Sequence, residues 1–297
     1  MEKILKALTQ FRSSELFYNY RHNWSAMIGS AILVCMVSVV ILGPSLMSQD
    51  PYDIAGLELM DAYKPPAWSP EGDPRYLLGT DDQGRDVLAS VVYGSRLSLF
   101  IGLTAMLCSC MIGTTMGLIS GYYGGLLDGL IMRIADVQLS FPSMLIALFL
   151  MSAFGTGVDK ILISLTCVGW VVYARTVRGS TLSEKKKEYI QAATVAGLSS
   201  RRIITRHILP NVLTPLIVVA TIQVGTFVLI EASLSFLGVG VPITEPSLGL
   251  LVKNGFDVLL SGLWWMSVFP GAAIMLMVFG INLFGDFLRD ELNPRLK

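Results

Sequence analysis

Few residues in this chain could carry covalent chemistry. Its two histidines, His22 and His207, stand far apart, too few for a His-based metal or acid–base cluster. The four cysteines, Cys35, Cys108, Cys110 and Cys167, all fall in apolar stretches. Their spacing matches neither zinc ligation nor a secreted disulfide framework, so they read as small apolar side chains. No Gly-Lys dipeptide occurs, which removes the P-loop lysine that grips a nucleotide phosphate. No HExxH helix and no Ser-His-Asp arrangement is apparent. The chain therefore reads as neither an ATPase nor another enzyme. Glu231 is a different case, because it follows 20 uncharged residues. Intramembrane carboxylates are functional candidates, so Glu231 is open to two readings: a mark of the outer interface, or a pore or gate residue.

The elements that would position these residues are membrane helices. Hydrophobic residues make up 53% of the chain and charged residues only 15%, against about a quarter in soluble proteins. A helix needs about 20 apolar residues to cross a bilayer. Stretches 26–47, 97–127, 137–158, 161–174, 211–230 and 258–285 fit that need, the fourth by snorkelling of Arg175 and Arg178. The expected fold is an all-α membrane protein of six transmembrane helices. The first span has too long an apolar region, and too long a polar lead, for a cleaved signal peptide, and reads as a retained anchor. Phe141-Pro142 predicts a kink in the third span.

Loop charge orients the spans. Arg175, Arg178, Lys185, Lys186, Lys187, Arg201, Arg202 and Arg206 gather near the fourth and fifth spans, while residues 49–96 carry nine acids and four bases. The positive-inside rule puts the basic loop in the cytoplasm and the acidic segment outside. The amino terminus, with Lys3, Lys6, Arg12 and Arg21, is then cytoplasmic, and six spans bring the carboxyl terminus to the same side. The expected organisation is a cytoplasmic segment 1–25, a first helix 26–47, an extracytoplasmic segment 48–96, a transmembrane domain 97–286 with a cytoplasmic loop 180–210, and a tail 287–297. Net charge is zero, and membrane lipid rather than nucleic acid is the expected surround.

Two motifs stand out. Residues 188–217 read EYIQAATVAGLSSRRIITRHILPNVLTPLI. Ala192, Ala193 and Ala196 offer a small-residue face for close approach. Gly197 suits the left-handed residue that ends a helix, Ser199 or Ser200 could cap the next, and Pro210 is tolerated in a first helical turn. A basic loop of this kind can also simply bind anionic lipid; the Ala-Ala, Gly and Leu-Pro spacing favours a specific partner surface. The second motif is LGTDDQGRDVL from Leu78 to Leu88. Separately, Gly113, Gly117 and Gly121, with Gly125 as a weaker fourth, recur every fourth residue. Such a stripe reads as helix packing in preference to ligand binding.

The first motif resembles the cytoplasmic "EAA" loop of permease subunits in binding-protein-dependent ABC importers. The second, continuing through Tyr93-Gly94-Ser95-Arg96-Leu97-Ser98-Leu99, resembles the LGTDxxGRD segment of dipeptide and oligopeptide permeases of the C-subunit type. Residues 271–290 also match that family. The resemblance implies a type I importer fold in a bacterial cytoplasmic (inner) membrane. It implies that this chain forms half of an alternating-access pathway beside a second, homologous permease. Two ATP-binding cassette subunits would dock below, holding the ATP and magnesium, and an extracytoplasmic binding protein would deliver substrate. No cofactor, catalytic or metal site is expected in this chain. The coupling surface would comprise Glu188, Gln191, Ala192, Ala193, Ala196, Gly197, Arg201, Arg206 and Pro210. Gln191 departs from the family pattern, which has Glu there, and Glu188 lies nearly one turn earlier; a charge-assisted contact at 191 is therefore in doubt. Peptide uptake leads by family breadth, with nickel or metal chelates, glutathione and opines as alternatives on the same architecture. A stand-alone secondary transporter would call for an internal repeat and coupling charges within the spans.

Overall fold

Long uncharged stretches become long helices, because a backbone without water must satisfy its own N–H and C=O groups. The computed structural model describes residues 15–47, 49–51, 53, 57–242, 244–245 and 247–292. Lys3, Lys6 and Arg12 lie outside them. In chain order the helices are α1 (Glu15–His22), α2 (Trp24–Leu46), α3 (Val87–Tyr123), α4 (Gly125–Leu139), α5 (Ser143–Phe154), α6 (Val158–Lys185), α7 (Glu188–Val195), α8 (Ser200–Ile203), α9 (Leu209–Phe236), α10 (Leu248–Asp257) and α11 (Trp265–Leu292). Among the described residues the only β pairing is an isolated bridge between Thr80 and Asp86.

Among the described residues, five helices are long and apolar enough to cross a membrane: α2, α3, α6, α11 and the continuous helical run Ser200–Phe236. The sixth candidate is the pair α4 and α5, which meet at 90°. The expected kink at Phe141-Pro142 is thus a corner, with Pro142 in extended backbone just before α5.

Several boundaries differ from the sequence expectation for physical reasons. Helix α3 starts at Val87 rather than 97, because the Asp86 carboxylate caps it, accepting from the Leu88 amide at 2.9 Å. Helix α4 starts at Gly125, inside the expected second span 97–127, and carries Asp128, Arg133 and Asp136. Helix α6 runs to Lys185, with Arg175 and Arg178 paired to carboxylates of α4 rather than snorkelling alone. The last span starts at Trp265, because residues 248–257 form the separate helix α10.

The glycine stripe lies along α6. A Cβ on Gly117 would stand 2.5 Å from the Ala174 carbonyl oxygen and 2.7 Å from Val177 Cβ. One on Gly121 would stand 2.7 Å from Thr181 Cβ, and one on Gly113 would collide with the Trp170 carbonyl. Gly125 has nothing within 4 Å and a φ of +58°, so the stripe stops where α3 ends. The close contact is within the chain, between α3 and α6.

Residues 57–86 fold over the start of α3 and α11. Asp61 is buried and accepts from Tyr76 Oη at 2.6 Å, with Lys64 and Arg75 beside it. In the LGTDDQGRD segment, Asp81 Oδ1 accepts the Gln83 and Arg85 amides, each at 2.9 Å, while Arg85 Nε donates to Asp81 Oδ2 at 2.6 Å. Both members of this ion pair are buried, and the carboxylate accepts three bonds from its own turn. Gly79 has a φ of +83°, and a Cβ there would press on the Lys64 carbonyl at 2.6 Å and the Trp265 ring at 2.9 Å. Trp265 Nε1 donates to the Thr80 carbonyl at 3.1 Å. The motif is a closed turn that fastens residues 57–86 to the bundle.

Candidate functional site

The segment between α6 and α9 stands on apolar residues of its own chain. Ile190, Ala193, Ile203 and Ile208 are buried against Leu118 of α3, Tyr173 and Val177 of α6, and Val212 and Leu216 of α9. Burying an isoleucine contributes about 1.5–3 kcal/mol relative to leaving it in water, so these residues seat the loop on the bundle. The structure therefore separates the three alanines that the sequence placed on one face. Ala193 is 9% exposed and faces inward, whereas Ala192 and Ala196 are open.

Helix α7 ends in a Schellman motif. Gly197 has a φ of +77°; its amide donates to the Thr194 carbonyl at 3.0 Å, and the Leu198 amide to the Ala193 carbonyl at 3.2 Å. Leu198 packs against the same apolar cluster. Ser199 occupies the cap position of α8, but its side chain makes no capping bond. Nothing lies within 4 Å of a Cβ at Gly197, so its constraint is conformational rather than steric.

The exposed face of α7 carries Glu188, Gln191, Ala192, Val195 and Ala196, one i, i+3, i+4, i+7, i+8 ridge. Val195 is 89% exposed, unusual for a β-branched apolar side chain. Gln191 Nε2 donates to the Lys186 carbonyl at 3.2 Å. Arg201 and Arg206 are exposed on the following turns.

Between α8 and α9 the helix widens into a π-turn, Ile204–Ile208, closed by the Leu209 amide donating to the Ile204 carbonyl. Pro210 accounts for it. An α-helical proline would lack an N–H for the Arg206 carbonyl and press its ring upon it, and the wider turn just before makes room. Pro210 thus stands at the second position of α9, yet the helical path begins at Ser200.

Residues that sequence reasoning did not single out tie this segment to the bundle. Tyr189 Oη donates to Glu184 Oε2 at 2.5 Å, and Asn211 Nδ2 reaches Tyr189 Oη at 3.1 Å and the His207 carbonyl at 2.7 Å. The carboxylate and lost solvent push the Tyr189 phenol up to about 12. Glu184 and Asn211 also line a cleft of about 930 Å³ between α6, α9 and the end of α11, with Ser180, Thr214 and Arg289 on its walls. At the same end, Arg178 donates to both oxygens of Asp128, at 2.5 and 2.6 Å, and Ser120 of α3 donates to that carboxylate too. Arg175 pairs with Asp136, and Lys185 Nζ donates to the Tyr122 carbonyl at 2.6 Å. The opposite charges on α4 and α6 were the signal available in the sequence, but α4 was not visible as a separate helix.

Glu231 is elsewhere, toward the far end of α9. It is fully buried within the chain. Its carboxyl accepts from Ser98 Oγ at 2.7 Å and Ser235 Oγ at 2.8 Å.

Comparison with known proteins accords with this geometry. Residues 113–297 match the family described as "Binding-protein-dependent transport system inner membrane component". Residues 13–66 match "N-terminal TM domain of oligopeptide transport permease C". The dipeptide transport system permease protein DppC of Haemophilus influenzae is 37% identical over 283 residues, 95% of each chain. The oligopeptide transport system permease protein OppC of Bacillus subtilis is 37% identical over all of this chain and 93% of its own length. The di/tripeptide permease DppC of Pseudomonas aeruginosa is 35% identical over 95% of this chain and 92% of its own. Among solved structures, a chain of the MetNI methionine ABC transporter in an inward-facing conformation has the same fold. Its TM-score is 0.56 at 19% identity, covering 69% of this chain and 96% of that one.

Proposed function

The chain belongs to the family of binding-protein-dependent transport system inner membrane components, and on that premise we propose that it forms half of an ATP-driven pathway for peptide uptake. It is a multi-pass membrane protein and a transport subunit of a larger complex. The dipeptide and oligopeptide permeases that it resembles over nearly its full length favour short peptides as the substrate. A bacterial cytoplasmic membrane, with both termini and the α7 segment inside and residues 57–86 outside, agrees with the loop charges.

The partners proposed are a second, homologous permease, two ATP-binding cassette subunits and an extracytoplasmic substrate-binding protein. ATP and magnesium belong to the cassette subunits, since this chain lacks a P-loop lysine. The observation that carries the reading is the exposed ridge of α7, seated from behind by Ile190 and Ala193 and ended by Gly197. A ridge rigidly seated on its own bundle can pass a partner's rigid-body movement into α6 and α9. The cleft beside it is a candidate for the inner mouth of the pathway. The test is purification of the tagged chain in mild detergent. The expected complex contains the second permease and the cassette subunits, and Val195→Asp loses the cassette subunits while keeping the permease. A chain that purifies alone and still transports would overturn the proposal.

A further inference from the structure

The buried carboxyl of Glu231 has no cationic partner among the described residues, and what surrounds it has a common destination. Ser98 belongs to α3 and Ser235 to α9. Ser247, the cap of α10, lies beside the carboxyl and accepts from the Leu250 amide at 3.2 Å. One carboxyl therefore joins two spanning helices directly beside the start of α10.

Helix α10 has 10 residues, half of what a crossing needs, and lies between α9 and α11. It is held by close glycine contacts on three sides. A Cβ on Gly249 would strike the Ala232 carbonyl of α9, and one on Gly255 would strike Met266 of α11. One on Gly94 of α3 would stand 3.2 Å from the Leu248 amide nitrogen. Leu248, Leu250 and Leu251 are buried in these contacts. The far end of the bundle thus holds a wedge rather than a loose loop. The helix beneath it runs unbroken from Ser200, in the α7–α9 segment, to Phe236, 37 residues or about 55 Å at 1.5 Å per residue.

We propose that Glu231 is the positioning residue of this wedge: it pins α10 to the far end of the Ser200–Phe236 helix, so that movement imposed on the α7–α9 segment is delivered to α10. This rests on the permease reading above. The role is mechanical and is met by hydrogen bonding. A glutamine at 231, able to accept from one serine and donate to another, fulfils it, whereas alanine does not.

The test uses the purified complex in nanodiscs, with native cysteines replaced and one reporter thiol at a time. Lys253→Cys, half-buried on α10, reports the wedge, and Val195→Cys reports the α7 ridge. Labelling rates are compared without nucleotide and with trapped ATP. In the wild-type background both reporters change severalfold on trapping. Glu231→Ala leaves the response at 195 intact and cuts the response at 253 to less than twofold. Glu231→Gln keeps both, and Ser98→Ala, a milder lesion, falls between. A response at 253 that survives Glu231→Ala, or that glutamine fails to rescue, overturns the pin. A wild-type complex that responds at 195 and not at 253 overturns it too. No response at either position overturns the permease reading, and the pin with it.

Discussion

Gly197 shows how much one backbone angle can decide. At a φ of +77°, any L-residue there costs about 1–2 kcal/mol. Open space around its Cβ means that no clash accompanies the strain. Gly197→Val is expected to insert and assemble normally but to lose most substrate-stimulated ATPase activity, because Leu198 and α8 leave their places behind the ridge. Full stimulation in the variant would count against coupling through α7. The stripe glycines obey a different rule. Gly117→Ala forces a methyl to within 2.5 Å of the Ala174 carbonyl and should destabilise the chain by about 1–3 kcal/mol. Gly129→Ala, with nothing within 4 Å and an ordinary helical backbone, should instead be neutral or stabilising by about 0.5–1 kcal/mol. Thermal stability of the two purified variants separates them. Gly197 and the stripe were legible in the sequence because glycine's function there is local geometry. The inward turn of Ala193 was not, since it depends on where Ile203 and Ile208 pack.

At the scale of elements, the α3–α4–α6 junction is held by charge. Asp128 gathers Arg178 from α6 and Ser120 from α3 at the end of the bundle that carries α7. Removing the carboxylate strands a half-buried guanidinium, and Asp128→Asn should cost about 2 kcal/mol. The charge-swapped pair Asp128→Arg with Arg178→Asp should recover much of that loss, read as complex stability in detergent. Additive losses would mean that the two residues act separately. The 57–86 unit has its own charge logic. Hydrogen bonds from Lys64 and Tyr76 hold Asp61 below the usual carboxylate range, and Arg75 and Lys64 hold Asp73 well below it. Their stabilisation is present above the unfolded value of about 3.9 and is lost as pH falls through the depressed folded values. Burial pushes Asp86 up, so that group favours the folded unit more as it protonates. The unit should therefore stay fastened through mild acid and release only below about pH 4. Trp265 fluorescence, with the other tryptophans changed to phenylalanine, follows it; release near pH 6 would contradict this balance. The long helices could be read from uninterrupted apolar runs. Helix α10 could not, because its Leu248-Gly-Leu-Leu-Val run is too short to signal a span and its burial comes from glycine contacts made across the fold.

For the whole molecule, loop charge predicts residues 57–86 outside and both ends of the chain inside. Glu71→Cys, exposed, should label only from outside, while Gly72 is a poor site because a side chain there would collide with Pro66. Labelling of position 71 only from the cytoplasm would sink the six-span arrangement. That arrangement gives the Ser200–Phe236 helix its meaning, since it would then join a cytoplasmic docking ridge to the outer rim of a pathway. The decisive measurement is uptake of a labelled dipeptide by proteoliposomes that hold the purified complex and its binding protein. The account predicts accumulation that requires ATP and is indifferent to ion gradients. Accumulation driven by a proton or sodium gradient without ATP would contradict it.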